Sequence, residues 1–475
     1  MTAGLKSAAA FATNCILEVA KAALEIVSII LNFKEVHMKP KQVKDLLVAQ
    51  IRMISANAKS FCVDSERNFS RNRKLTMEKI ITSIIGMGSG NITNELTDFF
   101  NDSSETPTAS AFCQQRRKVS VEAFECVFRL FSKKLFDSFK DDFSILAVDG
   151  SKIQIPTDPD DTDTFFPGAN GQKSYNMIHL NALYDLKHKI YHDAVIQKAK
   201  YANEHLALTE MVDRSPLNNA LLIADRGYES YNNLAHIQEK GWHFLIRIKD
   251  GNHGIRHGLL LPDESSYDVN IELNLTRKQT GEVKELLKDK NHYKLIAASQ
   301  VFDYLPPKNR KSEPTRFYKI SFRIVRFLLT EGTYETIITN LPTDKYPPEE
   351  LKKLYASRWG IETSFRDLKY TMGLLDFHSK KVECIQQEIF AHLTMYNFAE
   401  MITSHVVIKK KQRKYTYKAN FSVAAHMCRK FYRGITSPPD LETIISRNLV
   451  PIRPDRHRDR FQSARIFRGF LYRVA

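Results

Sequence analysis

The chain has 475 residues, of which 43% are hydrophobic and 26% charged, with a formal charge of +16 and a pI of ≈ 9.3. That composition describes a soluble globular protein of roughly two to four domains. The basic excess points to a polyanionic partner, nucleic acid first, with a generally basic cytoplasmic protein as the plain alternative.

The first residues, "AAAFATNCILEVAKAALEIVSIILNF", are apolar, but Glu18, Lys21 and Glu25 interrupt them. No uncharged run approaches the ~20 residues that span a bilayer, and no signal-peptide pattern stands out. Residues 1–37 read as an upstream extension, with Met38 in "HMKPKQ" as the expected natural start. From Lys39 to Lys140 apolar residues recur at helical spacing, as in "VKDLLVAQIRMI" and "MEKIITSIIGMG". "TPTASAFCQQRRKVSVEAFECVFRLF" reads as two helices, the first capped by Thr108 or Ser110 and carrying Gln114, Gln115, Arg116, Arg117 and Lys118. A short basic helix after another resembles a helix-turn-helix reader, a pattern that any small helical domain can share.

At Asp142 the texture changes. "FSILAVDGS" is an apolar run ending in Asp149, and "KSYNMIHLNALYDL" and "KIYHDAVIQKA" follow as strands of a meander. "NEHLALTEMVDRS" is helical, "ALLIADRGY" is a second buried strand ending in Asp225, "SYNNLAHIQEKG" is a helix closed near Gly241, and "WHFLIRIKD" is a further strand carrying Arg247. The expected order is β-β-β-α-β-α-β. From about Asp250 to Thr339 the chain is strand-rich, and "PTDKYPPEELKKLYASRWGIETSFRDLKYTMG" restores helix behind Pro347 and Pro348.

That helix places Tyr355, Arg358, Glu362 and Lys369 at offsets 0, 3, 7 and 14. At ~100° per residue they fall near 0°, 300°, 340° and 320°, one narrow stripe joined by Arg366 near 20°. Ile361, Phe365, Leu368 and Met372 form the apolar stripe beside it. Taken alone, the polar stripe is either a solvated face with ion pairs four residues apart, or a site where one carboxylate holds a metal and cations hold anions. Asp149 and Asp225 bear on the choice. Each is an ordinary turn residue if taken singly. Each also stands at the carboxyl end of a buried strand, where site chemistry gathers in α/β folds. With Glu362 they make a three-carboxylate set suited to two divalent cations acting on a phosphodiester.

The last segment, Lys409 to Ala475, holds 17 Lys and Arg against 4 Asp and Glu. "KKKQRK" (Lys409 to Lys414) and "RPDRHRDR" (Arg453 to Arg460), interleaved with Tyr415, Tyr417, Phe461, Phe467 and Tyr472, read as tracts that contact a nucleic-acid backbone or as a solvated tail. The six cysteines lack zinc-knuckle or redox spacing and read as reduced thiols. "DPDDTDTF" (Asp158 to Phe165) lacks the glycine of a calcium loop, and no H-E-x-x-H pair is present.

The spacing Tyr-x(2)-Arg-x(3)-Glu-x(6)-Lys, met by Tyr355, Arg358, Glu362 and Lys369, resembles the signature of the insertion-sequence-four family of bacterial DDE transposases. The resemblance spans roughly Lys39 to Ala475 and is sharpest at Asp149, Asp225 and Tyr355–Lys369. It implies an α/β fold: an RNase H-like catalytic core with a β-rich insertion domain, a helical N-terminal domain and a basic C-terminal helical segment. The expected division is an N-terminal DNA-binding domain at 38–140, core at 141–250, insertion at 251–340, core with the catalytic Glu helix at 341–405, and a DNA and dimer-contact segment at 406–475. It implies cut-and-paste transposition by hydrolysis and strand transfer at terminal inverted repeats. Asp149, Asp225 and Glu362 would hold two Mg²⁺, with Mn²⁺ substituting. Tyr355, Arg358, Arg366, Lys369 and Arg247 would grip DNA. The implied partners are double-stranded DNA with terminal inverted repeats and target DNA, bound by a homodimer in the synaptic complex, with no membrane and a cytoplasmic, nucleoid-associated location. Relatives also place a stacking Trp in the insertion domain. Here the two tryptophans are Trp242 and Trp359, and Phe317, Tyr318 and Phe322 are aromatic candidates in its place. The alternatives are an inactive or domesticated DNA-binding copy and another RNase H-like DNA nuclease.

Overall fold

The computed structural model describes residues 38–71, 73–101, 103–139, 143–168, 171, 173–251, 254–305, 317–330, 332–406 and 415–452. The expected upstream extension at 1–37 and the basic tracts Lys409–Lys414 and Arg453–Arg460, with Phe461, Phe467 and Tyr472, lie outside them. The protein is mixed α/β and divides into two compact units.

One unit comprises Asp141–Asp149 and Asn203–Gly360. Its frame is a mixed sheet. The first half of β1 (Ser144–Ile155) runs parallel to β5 (Ala220–Ala224), and β5 runs parallel to β6 (His243–Arg247). Beyond β6 the sheet turns antiparallel through β10 (Thr333–Thr339), β9 (Tyr318–Thr330) and β7 (Tyr267–Thr276), and β8 (Tyr293–Leu295) is added parallel to β7. All five β5 residues are buried, as an apolar run in a covered parallel strand requires. Helix α6 (Glu204–Arg214) starts at Asn203, whose side chain accepts from the Leu206 amide. Helix α7 (Tyr231–Glu239) stops at Gly241, which takes φ +75°; its amide and that of Trp242 return to the Gln238 and Ile237 carbonyls. The short α8 (Gly281–Leu286) precedes β8.

The other unit comprises Lys34–Lys140, Gly150–Ala202 and Ile361–Ala475. Helices α1 (Pro40–Ala56), α2 (Met77–Gly86), α3 (Ile92–Phe99), α4 (Ala109–Arg116) and α5 (Val121–Ser138) precede β1. Thr108 is the residue that caps α4. The short β2 (Phe165–Phe166), β3 (Tyr175–Asp185) and β4 (Ile190–Lys198) pair antiparallel in sequence. The long α11 (Val382–His405) is buried along most of its length, and its Asn397 amide bridges the Ser132 hydroxyl on α5 and the Tyr191 backbone on β4 at 2.8–2.9 Å. Helices α12 (Phe421–Tyr432) and α13 (Pro438–Arg447) and the strand pair β11 (Tyr417–Ala419) and β12 (Leu449–Pro451) complete the described chain.

One reading of the sequence needs correction. The single helix expected from Pro347 to Gly373 is three pieces: α9 (Pro348–Ala356), α10 (Trp359–Arg366) and a π-helical turn over Asp367–Thr371. The break falls at Ser357 and Arg358. Ser357 Oγ donates to the Leu354 carbonyl at 2.6 Å, and successive amides bond back three residues instead of four. A straight wheel therefore does not describe the Tyr355-to-Lys369 stripe. The apolar partners Ile361, Phe365, Leu368 and Met372 are nonetheless all buried. Arg116 at the end of α4 is buried. It pairs with Glu388 at 2.8 Å and bonds Gln387 at 2.9 Å and the Cys384 carbonyl. Burial raises the Glu388 carboxyl, but the charges of Arg116 and His378, with hydrogen bonds from His378, outweigh it and bring it to about 2.

Candidate active site

The site grows from the sheet register of the first unit. Ala147 pairs with Ile223 across β1 and β5. Two residues beyond that pair along the chain come Asp149, inside β1, and Asp225, which directly follows the last residue of β5, and both charges bear on the Tyr228 phenol. Asp225 ends its strand in a tight turn and accepts the Gly227 amide at 2.8 Å. A Cβ on Gly227 would lie 2.9 Å from that carboxylate oxygen, so a side chain there would make the acid shift.

Around the pair the unit collects both signs of charge. Tyr228, absent from the sequence-derived set, is buried, and its hydroxyl has no hydrogen-bond partner among the described residues. Burial pushes its phenol well up, Glu204, Asp149 and Asp225 add to the rise, and Arg358 opposes it. Tyr355 is also buried and pushed up to about 12, first by burial, with Arg358, Glu335, Arg247 and Asp225 all within electrostatic reach. It is therefore a neutral hydrogen-bond donor at neutral pH. The Arg358 guanidinium lies 6.0 Å from the Tyr355 ring centre and 5.6 Å from that of the exposed Trp359. Arg247 leaves the end of β6 half-exposed and pairs with the buried Glu335 at 3.2 Å. Glu335 is a second residue that the sequence reading missed. Its signal was an acid inside the strand-like run "YETIITNL", which needs a cation across the sheet.

Glu362, Arg366 and Lys369 belong to the second unit. Glu362 rides on α10, whose Ser364 hydroxyl is within 2.9 Å of the Tyr191 hydroxyl and whose Phe365 packs on the Tyr191 ring. Arg366 is exposed at the end of this helix. Lys369 lies in the π turn, where its Nζ donates to the Lys152 carbonyl at 3.0 Å. π turns often occur at functional positions because they re-aim a side chain without ending the helix.

Among the described residues, no three or more His, Cys, Asp or Glu side chains stand together as a ready metal cage. The Asp149 and Asp225 pair is a hard-oxygen donor set of the type Mg²⁺ accepts while keeping several waters. Of the aromatic candidates in the strand-rich segment, Phe322 is buried against Tyr231, and the Tyr318 hydroxyl donates to Glu239 at 2.8 Å. Phe317 lies against Tyr293. Among the described residues, no helix is long and apolar enough to cross a membrane.

Comparison with known proteins supplies the family. The model of the transposase DDE domain matches residues 140–398. The transposase InsG for insertion sequence element IS4 of Escherichia coli (strain K12) is 24% identical over 346 residues, covering 69% of this chain and 70% of that one. The transposase for insertion sequence element IS231E of Bacillus thuringiensis subsp. finitimus is 21% identical, covering 60% of this chain and 62% of that one. The transposase for IS231F of Bacillus thuringiensis subsp. israelensis is 22% identical, covering 68% and 69%. A solved piggyBac transposase synaptic complex with hairpin DNA shares 11% identity and a TM-score of 0.41 over 86% of this chain and 84% of that one, too slight a likeness to carry an argument. The chain belongs to the DDE transposases, and within them to the family of insertion sequence element IS4.

Proposed function

We propose that this transposase moves its element by cut-and-paste, with Asp149, Asp225 and Glu362 as the acids of the reaction. The observation that supports the reading is that Asp149 and Asp225 each follow by two residues the Ala147 and Ile223 register pair of adjacent parallel strands, and that both charges bear on the Tyr228 phenol. Two carboxylates so placed repel one another and gain from a bound cation. A pair of Mg²⁺ ions, for which Mn²⁺ substitutes, would supply a nucleophile at neutral pH and neutralise the leaving oxygen. Glu362 on α10 is assigned as the third ligand.

The remaining residues handle the phosphate. Tyr355, kept neutral by burial, donates a hydrogen bond. Arg358 and Arg247 offer planar guanidinium groups that take phosphate oxygens in pairs, while Lys369 acts as a point charge and Arg366 adds to the field. Their task is to hold the scissile phosphate in line, so that the hydroxyl freed by the first cut is placed for strand transfer.

The fold proposed for this chemistry is RNase H-like, with residues 251–340 as the β-rich insertion, 38–140 as a DNA-binding domain and 406–475 as a DNA and dimer-contact segment. The proposed substrates are the terminal inverted repeats of the element and a target duplex, brought together by a homodimer in the cytoplasm at the nucleoid. The test is excision. The native cassette with its flanking DNA is placed on a plasmid and incubated with purified protein in Mg²⁺ or EDTA, for wild type and Glu362→Gln. Cuts at the flanking repeats that need Mg²⁺ and vanish in the variant are expected. Repeat binding without any cutting by wild type would move the assignment to an inactive DNA-binding copy.

A further inference from the structure

The second unit contains a cavity of ≈ 700 Å³ that the catalytic reading does not use. One wall is the Gly88-to-Asn101 stretch around α3, another is Thr371 in the π turn, and the third is α12 with the turn after it. From α12 it receives His426, Arg429, Lys430 and Arg433, spaced 0, 3, 4 and 7 and therefore on one helical face.

The charge in this cavity does not cancel. Its acids are Glu95 and Asp98, and both are engaged by Arg433, Asp98 at 3.4 Å. Glu95 also accepts the Gly90 amide at 2.9 Å. Arg429 also feels the Glu95 charge, while His426 and Lys430 have no acid partner among the described residues. Arg429 spends one nitrogen on the Met372 carbonyl at 2.6 Å, and its buried Nε has no partner among the described residues. Burial brings its guanidinium down to about 10, a cost that an anion in the cavity would remove. His426 and Lys430 are exposed and unpaired among the described residues. Partial burial first, and then Lys430, Arg429 and Arg433, hold the His426 imidazole below its ordinary value. The Ser89, Thr371 and Ser422 side chains supply hydroxyl groups around the same space.

We propose that this cavity is a binding site for a phosphate of the DNA backbone, separate from the residues assigned to the scissile phosphate. The occupant is a phosphodiester because the lining offers cations and hydroxyl donors. Within this unit the site continues from Lys369, since Thr371 lines it and Arg429 holds the carbonyl of Met372 just beyond the same π turn. The site deepens the transposase reading and rests on DNA being the substrate.

The experiment uses the full chain and a fluorescently labelled duplex copied from the DNA flanking the gene. Anisotropy titrations from 50 to 200 mM salt, on the order of the range that resolves counterion release, compare wild type with the His426→Gln/Lys430→Gln double variant. Both side chains are exposed, so the variant keeps its fold, which a thermal melt verifies. The expected result is affinity lower by roughly tenfold and a salt slope shallower by about 0.9 per phosphate lost. Equal affinity and equal slope, with wild type binding normally, would overturn the site and leave the transposase reading standing. Inorganic phosphate provides the second arm. Saturable heat of phosphate binding in wild type, lost in the variant, alongside unchanged duplex binding, would reassign the cavity to a small anion and overturn the DNA proposal. A wild type that bound no duplex at all would overturn both the site and the reading beneath it.

Discussion

Asp149 lies two residues beyond Ala147 in β1, and Asp225 lies two residues beyond Ile223, the register partner of Ala147, just past the end of β5. Both acids act on the buried Tyr228 phenol. Replacement of either by Asn is expected to abolish Mg²⁺-dependent cutting at the element ends while leaving end binding within a few-fold of wild type. Cleavage gels and gel-shift titrations on the same preparations measure the two quantities, and retained cutting by Asp225→Asn would remove that residue from the reaction.

Gly227 gives a finer test of the same acid. Its absent side chain leaves room for the Asp225 carboxylate, which a Cβ would approach to 2.9 Å. Gly227→Ala is expected to rotate that carboxylate and reduce the cleavage rate on the order of 100-fold, the scale of an ångström-sized misplacement. The melting temperature should change little, since residues 226 and 227 are exposed. Single-turnover cleavage set beside a thermal melt separates the two effects.

Lys369 bonds the Lys152 carbonyl from within the π turn. Lys369→Ala is expected to weaken the complex with the element end by roughly tenfold, the scale of one charge-assisted hydrogen bond. Complex lifetimes on native gels test this, and a lifetime equal to wild type would speak against a phosphate contact.

The Arg116, Glu388 and His378 network sets a pH window for stability. Glu388 is held at about 2 in the folded chain, below the ordinary glutamate value of about 4.3. The unfolded chain therefore binds more protons between those values. The contribution of Glu388 is present above that window and is lost as the pH falls toward 2. His378 has the opposite sign. Burial lowers its pKa, but Glu388 outweighs burial and raises it, so its contribution is present below about 6.5 and is lost as the pH rises through the higher folded value. Glu388→Gln leaves Arg116 buried without its counter-charge and is expected to cost about 3–5 kcal/mol. Urea titrations between pH 3 and 8 (on the order of the range set by the two side chains) should show this loss and a flatter pH profile.

Much of the framework was legible in the residues themselves. Apolar runs that end in Asp mark covered parallel strands, and the observed order β1, β3, β4, α6, β5, α7, β6 is the order read from the chain, with the two-residue β2 added. Asn203, Thr108 and Gly241 terminate their helices through bonds that local sequence dictates. The Tyr355, Arg358, Glu362 and Lys369 spacing was visible for the same reason, because it is a property of neighbours in the chain.

What local sequence could not decide depended on partners far away along the chain. Arg116 looks like a surface cation until Glu388, 272 residues later, takes it into the core. Tyr228 is an ordinary turn tyrosine in sequence, and only the packing of its unit buries its hydroxyl within reach of two aspartates and Arg358. The break at Ser357 arises from a side-chain bond competing with the helix ladder, a choice between two nearly equal conformations that periodicity does not register. Sequence by itself determined which residue types and strand ends this transposase has, because those follow from short-range geometry and burial period. The tertiary structure decided which charges are compensated and which stay available, because a charge in a low-dielectric interior is settled by whichever partner the fold brings to it.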